Sequence, residues 1–147
     1  METQERHQIV VGTDGSENAS RALHWAIDEA KLRGADLRIV TVWHLPLAAY
    51  ARPGGTAPPA STALENEVRQ AAEGIAASAA KEVRKQADLP VETEVLEGDA
   101  AEVLIDVARN ADLLVIGTRQ RSHSGLLIGS VSVQCALHSA APTTIVH

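Results

Sequence analysis

Aromatic residues are scarce in this chain of 147 residues, which holds two Trp, one Tyr and no Phe, although 45% of its residues are hydrophobic. A core without Phe must consist of Ala, Val, Leu and Ile, which suits β-branched strands covered by closely packed, Ala-rich helices. So few rings also leave little surface on which bases stack, and this argues against binding of single-stranded nucleic acid. We expect Trp25 to pack a helix on a sheet, and Trp43 either to lie along a ligand pocket or to cover the core.

Cysteine, excess positive charge and long apolar runs are also missing. The single cysteine, Cys135, excludes an internal disulfide framework, and its place on the inner face of a predicted helix favours a buried, unreactive thiol. Thirteen basic against nineteen acidic side chains, a net charge of −6, argue against a nucleic-acid or anionic membrane surface. No apolar run approaches the roughly 18 residues of a membrane span, and the N-terminus lacks an apolar signal region. We therefore expect a single cytoplasmic domain over residues 1–147, with neither membrane nor nucleic acid as partner.

The sequence motifs of common catalytic and cofactor sites are absent as well. There is no Walker A sequence, no Gly-x-Gly-x-x-Gly after a strand and no Gly-x-Ser-x-Gly, which excludes the P-loop, dinucleotide-binding and nucleophile-elbow classes. The six histidines form no pair at helical i, i+4 spacing and have no cysteine at metal-site spacing, so we expect no metal site. No pair of acid and base residues stands out, and we expect no catalytic residues.

Two kinds of apolar periodicity alternate along the chain. Short β-branched runs predict strands, and apolar residues spaced three and four apart predict amphipathic helices. The predicted strands are 9–11, 37–43, 91–97, 113–116 and 143–146, and the predicted helices are 16–34, 64–88, 99–109 and 130–139. Four prolines between positions 44 and 62 predict a long loop. This alternation is typical of an α/β fold with an open, mostly parallel sheet and helices on both faces.

The order of the strands in the sheet predicts where a ligand binds. Strand 91–97 carries alternating glutamates, which indicates an edge, whereas 9–11 and 113–116 are the most hydrophobic and should be central neighbours. Ligands of such sheets bind beyond the carboxyl ends of the strands, where the strand order reverses. We therefore expect the turn Gly12-Thr13-Asp14 to face Gly117-Thr118-Arg119 across one crevice.

A second segment, Gly129-Ser130, stands directly before a predicted helix. Free backbone N–H groups and the positive end of the helix dipole make such a place suitable for an anion. Together with the carboxylate of Asp14, which suits ribose hydroxyls, this arrangement describes a nucleotide clamp. The alternative interpretation is that Gly129 is a simple turn and Ser130 an ordinary N-cap.

Several segments together carry a resemblance to a known family. They are Ile-Val-Val-Gly-Thr-Asp-Gly-Ser at 9–16, Ala-Asp-Leu-Leu-Val-Ile-Gly-Thr-Arg at 111–119, Gly-Ser at 129–130 and Ala-Pro-Thr-Thr-Ile-Val at 141–146. With these the chain resembles the universal stress protein (UspA-like) family over essentially 7–147. The resemblance implies a Rossmann-like fold of the adenine nucleotide alpha hydrolase type, with strand order 3-2-1-4-5. It also implies a stress-response function and a homodimer formed through Thr143–Val146, with the protein partner unknown.

Many members of that family bind ATP or another adenine nucleotide, with or without Mg²⁺, and the resemblance implies residues for this chain. Asp14 would hold the ribose or a phosphate-bound ion, and Val42 would offer backbone atoms to adenine. Gly117 would open the phosphate loop, and the first residues of the last helix would close it. At most a slow ATP hydrolysis is implied, without catalytic residues. The full candidate set is Gly12, Thr13, Asp14, Val42, Ile116, Gly117, Thr118, Arg119, Gly129, Ser130 and Val131.

The phosphate loop departs from the family's pattern of Gly, two residues, Gly, nine residues, Gly-Ser/Thr. Gln120 stands where the second glycine is expected, and eight residues instead of nine separate it from Gly129. Arg119 and Arg121 supply positive charge suited to phosphate, or they are solvated loop residues. A dimeric scaffold or signalling domain that binds no ATP therefore stays open as the alternative function.

Overall fold

Strands and helices alternate along the residues that the computed structural model describes, 6–45, 62–118 and 129–147. The strands are β1 Gln8–Gly12, β2 Asp36–Trp43, β3 Val91–Glu97, β4 Leu113–Gly117 and β5 Thr143–Val146. The helices are α1 Glu17–Arg33, α2 Thr62–Gln86, α3 Ala100–Val107 and α4 Ser130–His138, with a short 3₁₀ turn Ala108–Asn110 after α3. The predicted order of elements is confirmed, with ends that differ by one to a few residues.

The five strands form one parallel sheet in the order β3-β2-β1-β4-β5, as predicted. β1 pairs with β4 in the register Ile9 to Leu113, so the two most hydrophobic strands are indeed central neighbours. β2 and β3 are added on one side of β1, and β4 and β5 on the other side. The strand order therefore reverses between β1 and β4. Their carboxyl ends therefore flank the crevice in which ligands of this fold class bind.

Helices cover both faces of the sheet, and aliphatic side chains fill the two layers between them. Ile9 and Val11 pack toward α1 and α2, whereas Val10 packs toward α3 and α4, because successive strand residues point to opposite faces. Burial of each such side chain contributes about 1.5–3 kcal/mol to folding. Trp25 of α1 packs against the first layer and Cys135 of α4 lies in the second, so both predictions are confirmed.

The two edges of the sheet differ in charge. β3 is an edge strand, as predicted. Its exposed and half-buried residues, however, do not alternate as the sequence indicated. Thr93 is exposed, while Glu94 is half-buried because it forms an ion pair with Arg38 of β2. β5, at the opposite edge, contains no charged residue.

The longest helix in the described part, α2, has an amphipathic pattern of small residues. Its inner face consists of Ala72, Ala76, Ala79, Ala80 and Val83, which let the helix lie close to the sheet. Its other positions are largely polar and exposed. Among the described helices, none combines the length and the apolar character that crossing a membrane requires.

Candidate functional site

A cavity of about 230 Å³ lies at the carboxyl ends of β1, β2 and β4, where the crevice was expected. The first turns of α1, α3 and α4 complete its walls. Of the candidate residues that the structure describes, all except Ser130 line it, namely Gly12, Thr13, Asp14, Val42, Ile116, Gly117, Thr118, Gly129 and Val131. Segments about a hundred positions apart in the sequence thus meet at one site.

Some of the predicted positions are not part of the described cavity wall. Ser130 is exposed at the start of α4 and does not line the cavity. Trp43 is half-buried and is not among the lining residues of the described part, so the alternative that it lies along the pocket is not supported there. Arg119, Gln120 and Arg121 lie outside the described residues, as does the proline-rich segment 46–61.

The turn between β1 and α1 holds Asp14 at the rim of the cavity. The backbone N–H of Ser16 donates to Asp14 Oδ1 at 2.9 Å, and that of Gly15 donates to Thr13 Oγ1 at 3.4 Å. Gly15 has φ +80°, a left-handed conformation that residues with a Cβ rarely adopt. No residue in the described ranges donates to Asp14 Oδ2, which is therefore available to accept hydrogen bonds from a ligand.

Gly117 ends β4 directly against the first turn of α1. A Cβ at this position would lie 2.6 Å from the carbonyl oxygen of Asn18 and 3.0 Å from the backbone nitrogen of Ala19. The sequence predicted a close backbone approach at this glycine, and the backbone that approaches is that of α1. Gly117 thereby brings the following residue, the buried Thr118, to the cavity.

The N-terminus of α4 lies at the wall of the cavity. Gly129 is the N-cap, in an extended conformation and without a side chain to cap the helix, and Ser130 is the first helical residue. The alternative that Ser130 is an N-cap is therefore wrong by one position. The first amides of a helix have no partner within it and carry the positive end of its dipole. Val131 and Ser132 of this turn line the cavity, so it can receive an anionic group.

Further lining residues were missed at the level of sequence. Val40 precedes Val42 by two residues, so strand alternation places both on the same face and is a usable signal. His44 follows β2, and Ser132 follows Gly129 by three positions on α4; its hydroxyl donates to the carbonyl of Gly117 at 3.4 Å. The remaining missed residues are Ser16 and Ala19 at the start of α1 and Ala100 and Leu104 of α3. Their positions depend on how the helices dock, which local patterns do not encode.

The cavity has aliphatic walls in its middle and polar groups at its rim. Val40, Val42, Leu104 and Ile116 give it apolar walls. In its described lining, Asp14 and His44 are the only ionisable side chains. No group of three or more potential metal ligands occurs in the part of the chain that the structure covers. The arrangement suits a flat, uncharged ring between aliphatic walls, with hydroxyls near the carboxylate and an anion at α4.

Cys135 lies beneath the cavity in the core and does not line its described wall. Burial, together with the negative charge of Asp99, raises the pKa of its thiol to about 11. The thiol is therefore protonated at neutral pH and is a poor nucleophile.

Known proteins share both the sequence pattern and the fold. The profile of the universal stress protein family matches residues 5–147. The universal stress protein Rv3134c of Mycobacterium tuberculosis is 33% identical over 139 residues, covering 95% of this chain and 48% of that protein. A universal stress protein of Mycolicibacterium smegmatis is 30% identical over 143 residues, covering 95% of this chain and 47% of that protein. The chain thus spans about half the length of these curated relatives.

Solved structures of similar chains include two proteins in complex with a nucleotide. A universal stress protein from Archaeoglobus fulgidus matches with a TM-score of 0.75 at 28% identity, over 96% of this chain and 98% of that one. A universal stress protein in complex with cAMP matches with a TM-score of 0.72 at 28% identity, over 96% and 97%. A universal stress protein from Archaeoglobus fulgidus in complex with dAMP matches with a TM-score of 0.70 at 25% identity, over 96% and 98%. Because the family profile matches nearly the whole chain, the protein belongs to the universal stress protein family.

Proposed function

We propose that this protein binds an adenine nucleotide in the cavity and serves as a nucleotide-responsive module of a stress response. The observation that carries the proposal is the juxtaposition of Asp14 and the open N-terminus of α4 around one cavity with aliphatic walls. Two similar proteins, 28% and 25% identical to this chain, were solved in complex with cAMP and dAMP, which supports an adenine nucleotide over other ligands.

The proposed binding mode assigns each part of the nucleotide to a different wall. The adenine ring lies between Val40 and Leu104, with the backbone of Val42 at its polar edge. The ribose hydroxyls donate to Asp14 Oδ2, and the phosphates accept from the amides at the start of α4. The cavity volume of about 230 Å³ lies below the roughly 300–1,000 Å³ of typical drug-sized pockets, so we expect it to enclose the nucleoside while the phosphates extend outward. ATP with Mg²⁺ is the first ligand to test.

Titration calorimetry of ATP with Mg²⁺ into wild type and Asp14→Asn tests this proposal. Asparagine keeps the Oδ1 atom that accepts from Ser16, so the turn is preserved while the charge is removed. We expect the affinity to fall about 10-fold to 100-fold, the effect of losing hydrogen bonds to a charged group. Asp28→Asn, at an exposed position of α1, is the control and should bind like wild type. Absence of heat with ATP, AMP and cAMP at millimolar concentration would contradict the proposal.

A nucleotide-free scaffold is the second candidate, because Gln120 and the shortened loop depart from the family's ATP-binding pattern. In either case we propose a homodimer in which a second copy pairs along Thr143–Val146. The two candidates differ in one outcome: a stable dimer that binds no nucleotide supports the scaffold. The cytoplasmic location and the single-domain extent over 1–147 also stay predictions.

We further propose that the protein is not an enzyme beyond a slow hydrolysis of bound ATP. Asp14 and His44 both line the described part of the cavity, but no hydrogen bond joins them there. They therefore do not form a pair of general acid and general base. Release of phosphate should therefore be close to the uncatalysed background. Rapid turnover by the purified protein, lost in Asp14→Asn, would overturn this expectation.

A further inference from the structure

Asn18, in the first turn of α1, connects that helix to the end of β4 without lining the cavity in the described part of the chain. Its side-chain Nδ2 donates to the carbonyl oxygen of Thr118 at 2.8 Å and lies 3.4 Å from Thr118 Oγ1. The backbone carbonyl oxygen of Asn18 packs against Gly117, and a Cβ at Gly117 would lie only 2.6 Å from that oxygen. The first turn of α1 therefore holds the end of β4 through both its backbone and the Asn18 side chain.

The orientation of the Asn18 amide follows from its neighbours. Arg21 donates to Asn18 Oδ1 at 3.4 Å, and Arg21 itself forms an ion pair with Glu17 at 3.1 Å. A reversed amide would direct Oδ1 at the carbonyl oxygen of Thr118 and Nδ2 at the guanidinium, so both contacts would become repulsive. The amide nitrogen is thus directed at Thr118.

This contact determines what Thr118 can offer to a ligand. Thr118 is 6% exposed and lines the cavity. Its carbonyl oxygen is occupied by Asn18, and its hydroxyl oxygen accepts from the same amide. A hydroxyl has one proton to donate, and none of the described residues accepts that proton. Among the described residues the Thr118 hydroxyl thus keeps its proton for an acceptor inside the cavity.

The same helical turn also holds the opposite wall. Ser16 caps α1 by accepting from the backbone N–H of Ala19 at 3.2 Å, and Ser16 donates its own backbone N–H to Asp14. Asp14 and Thr118 are thus both joined to the first turn of α1, and Thr118 is held in addition by its backbone N–H, which donates to the carbonyl of Val146 at 2.9 Å.

From this geometry we infer that Asn18 is a positioning residue of the nucleotide site, which fixes Thr118 so that its hydroxyl donates to a phosphate oxygen. The inference rests on the proposed function and adds to it a residue that does not touch the ligand. Phosphate is the chemical class that fits for two reasons. The Thr118 hydroxyl requires a hydrogen-bond acceptor, and the amides of α4 attract an anion to the same cavity.

The test compares Asn18→Leu, which removes the donor without adding charge, with Asn18→Asp, and measures binding of ATP with Mg²⁺ and of adenosine. Asn66→Asp is the matched control, because Asn66 of α2 likewise accepts from an arginine, Arg69, at 3.0 Å. We expect both Asn18 variants to bind ATP about tenfold more weakly or worse, and the control to bind like wild type. Adenosine, which has no phosphate, should bind all of these proteins with similar affinity.

Two further measurements separate positioning from general stability. Hydrogen exchange of the backbone amide of Thr118 should accelerate in Asn18→Leu while the midpoint of thermal unfolding stays close to that of wild type. Thr118→Val should weaken ATP binding as much as Asn18→Leu does, and the double variant should be no worse than either, because both remove the same interaction.

Three results would overturn the inference while leaving the proposed function intact. They are wild-type ATP affinity in Asn18→Leu, a loss confined to Asn18→Asp, which would indicate charge repulsion, and a loss that simply follows a large drop in thermal stability. If wild type itself binds no ATP, the proposed function fails, and the inference about Asn18 fails with it.

Discussion

At the scale of single residues, Gly117 has a structural requirement that is separate from any ligand. The sequence alone associates this glycine with a phosphate loop. In the structure the space for a Cβ is already occupied by the backbone of α1, with the carbonyl oxygen of Asn18 only 2.6 Å away. A side chain at this position would have to push the helix from the sheet.

We expect Gly117→Ala to lower the free energy of unfolding by about 1–3 kcal/mol, because backbone atoms must shift to admit the methyl group. Chemical denaturation measures the change. The control is Gly74→Ala in α2, where, apart from the adjoining backbone of the helix itself, no atom of the described residues lies within 4 Å of the added Cβ. That substitution should stabilise the protein by about 0.5–1 kcal/mol, because alanine is the better helix former. Equal stability of Gly117→Ala and wild type would show that α1 is not held as closely as described.

At the scale of elements, Asp112 joins the beginnings of the two central strands. The backbone N–H of Gln8 donates to Asp112 Oδ2 at 2.8 Å, and the backbone N–H of Asp112 donates to the Gln8 carbonyl at 2.9 Å. His7 lies 3.3 Å from the second carboxylate oxygen. The hydrogen bond from Gln8, followed by that from His7, lowers the pKa of the Asp112 carboxyl below its ordinary value.

A lowered pKa in the folded state means that the ionised Asp112 stabilises the protein above the unfolded pKa of about 3.9. This contribution is lost as the pH falls through the lower, folded value. We therefore expect Asp112→Asn to unfold more easily than wild type near neutral pH and to approach wild-type stability in acid. Urea unfolding at several pH values checks this, and an NMR titration of the carboxyl group gives its pKa directly. A folded pKa at or above the ordinary value would contradict the expectation.

At the scale of the whole molecule, the two edges of the sheet are suited to different surroundings. β3 carries Glu92, Glu94 and Glu97, and charged side chains protect an edge from pairing with another strand. β5 carries no charge; the carbonyl of Pro142, directly before it, accepts from Leu114, and that of Val146 accepts from Thr118. Since bonding alternates along a strand, the backbone groups of Thr143 and Ile145 face the open side.

We expect a second copy to pair with this open edge, so that the protein in solution has twice the mass of the 15.5 kDa chain. Thr143→Lys should yield monomers, because a lysine there would lie opposite the apolar end of the second copy's strand, and charged side chains protect an edge from pairing. Thr93→Lys on the edge strand β3 is the matched control and should remain dimeric. Light scattering after size-exclusion chromatography measures the mass. A monomeric wild type, or a Thr143→Lys variant that is still a dimer, would contradict pairing along β5.

Most of the fold follows from the sequence because its signals are local and mutually consistent. The β-branched runs, the helical spacing and the glycine-containing turn at Asp14 each predict their own element, and parallel connections leave few topologies. The positions of Asp14 and Gly117 at the site are predicted from the strand ends, whereas Val42 is predicted through the family resemblance. Leu104 and Asn18 could not be placed, because their positions depend on how α3 and α1 dock on the sheet. Residues 119–128, where Arg119 and Gln120 fall, lie outside the described part.

The central claim is that a nucleotide lies between Asp14 and the start of α4, and NMR of the backbone amides during addition of ATP with Mg²⁺ tests it most directly. We predict saturable shifts that are largest at Thr13–Ser16 and at Ser130–Ser132, with small changes at the outer face of α2. The same titration with Asp14→Asn should need a higher ATP concentration for half-saturation. Shifts centred away from both segments, or no shifts at millimolar ATP, would contradict the account.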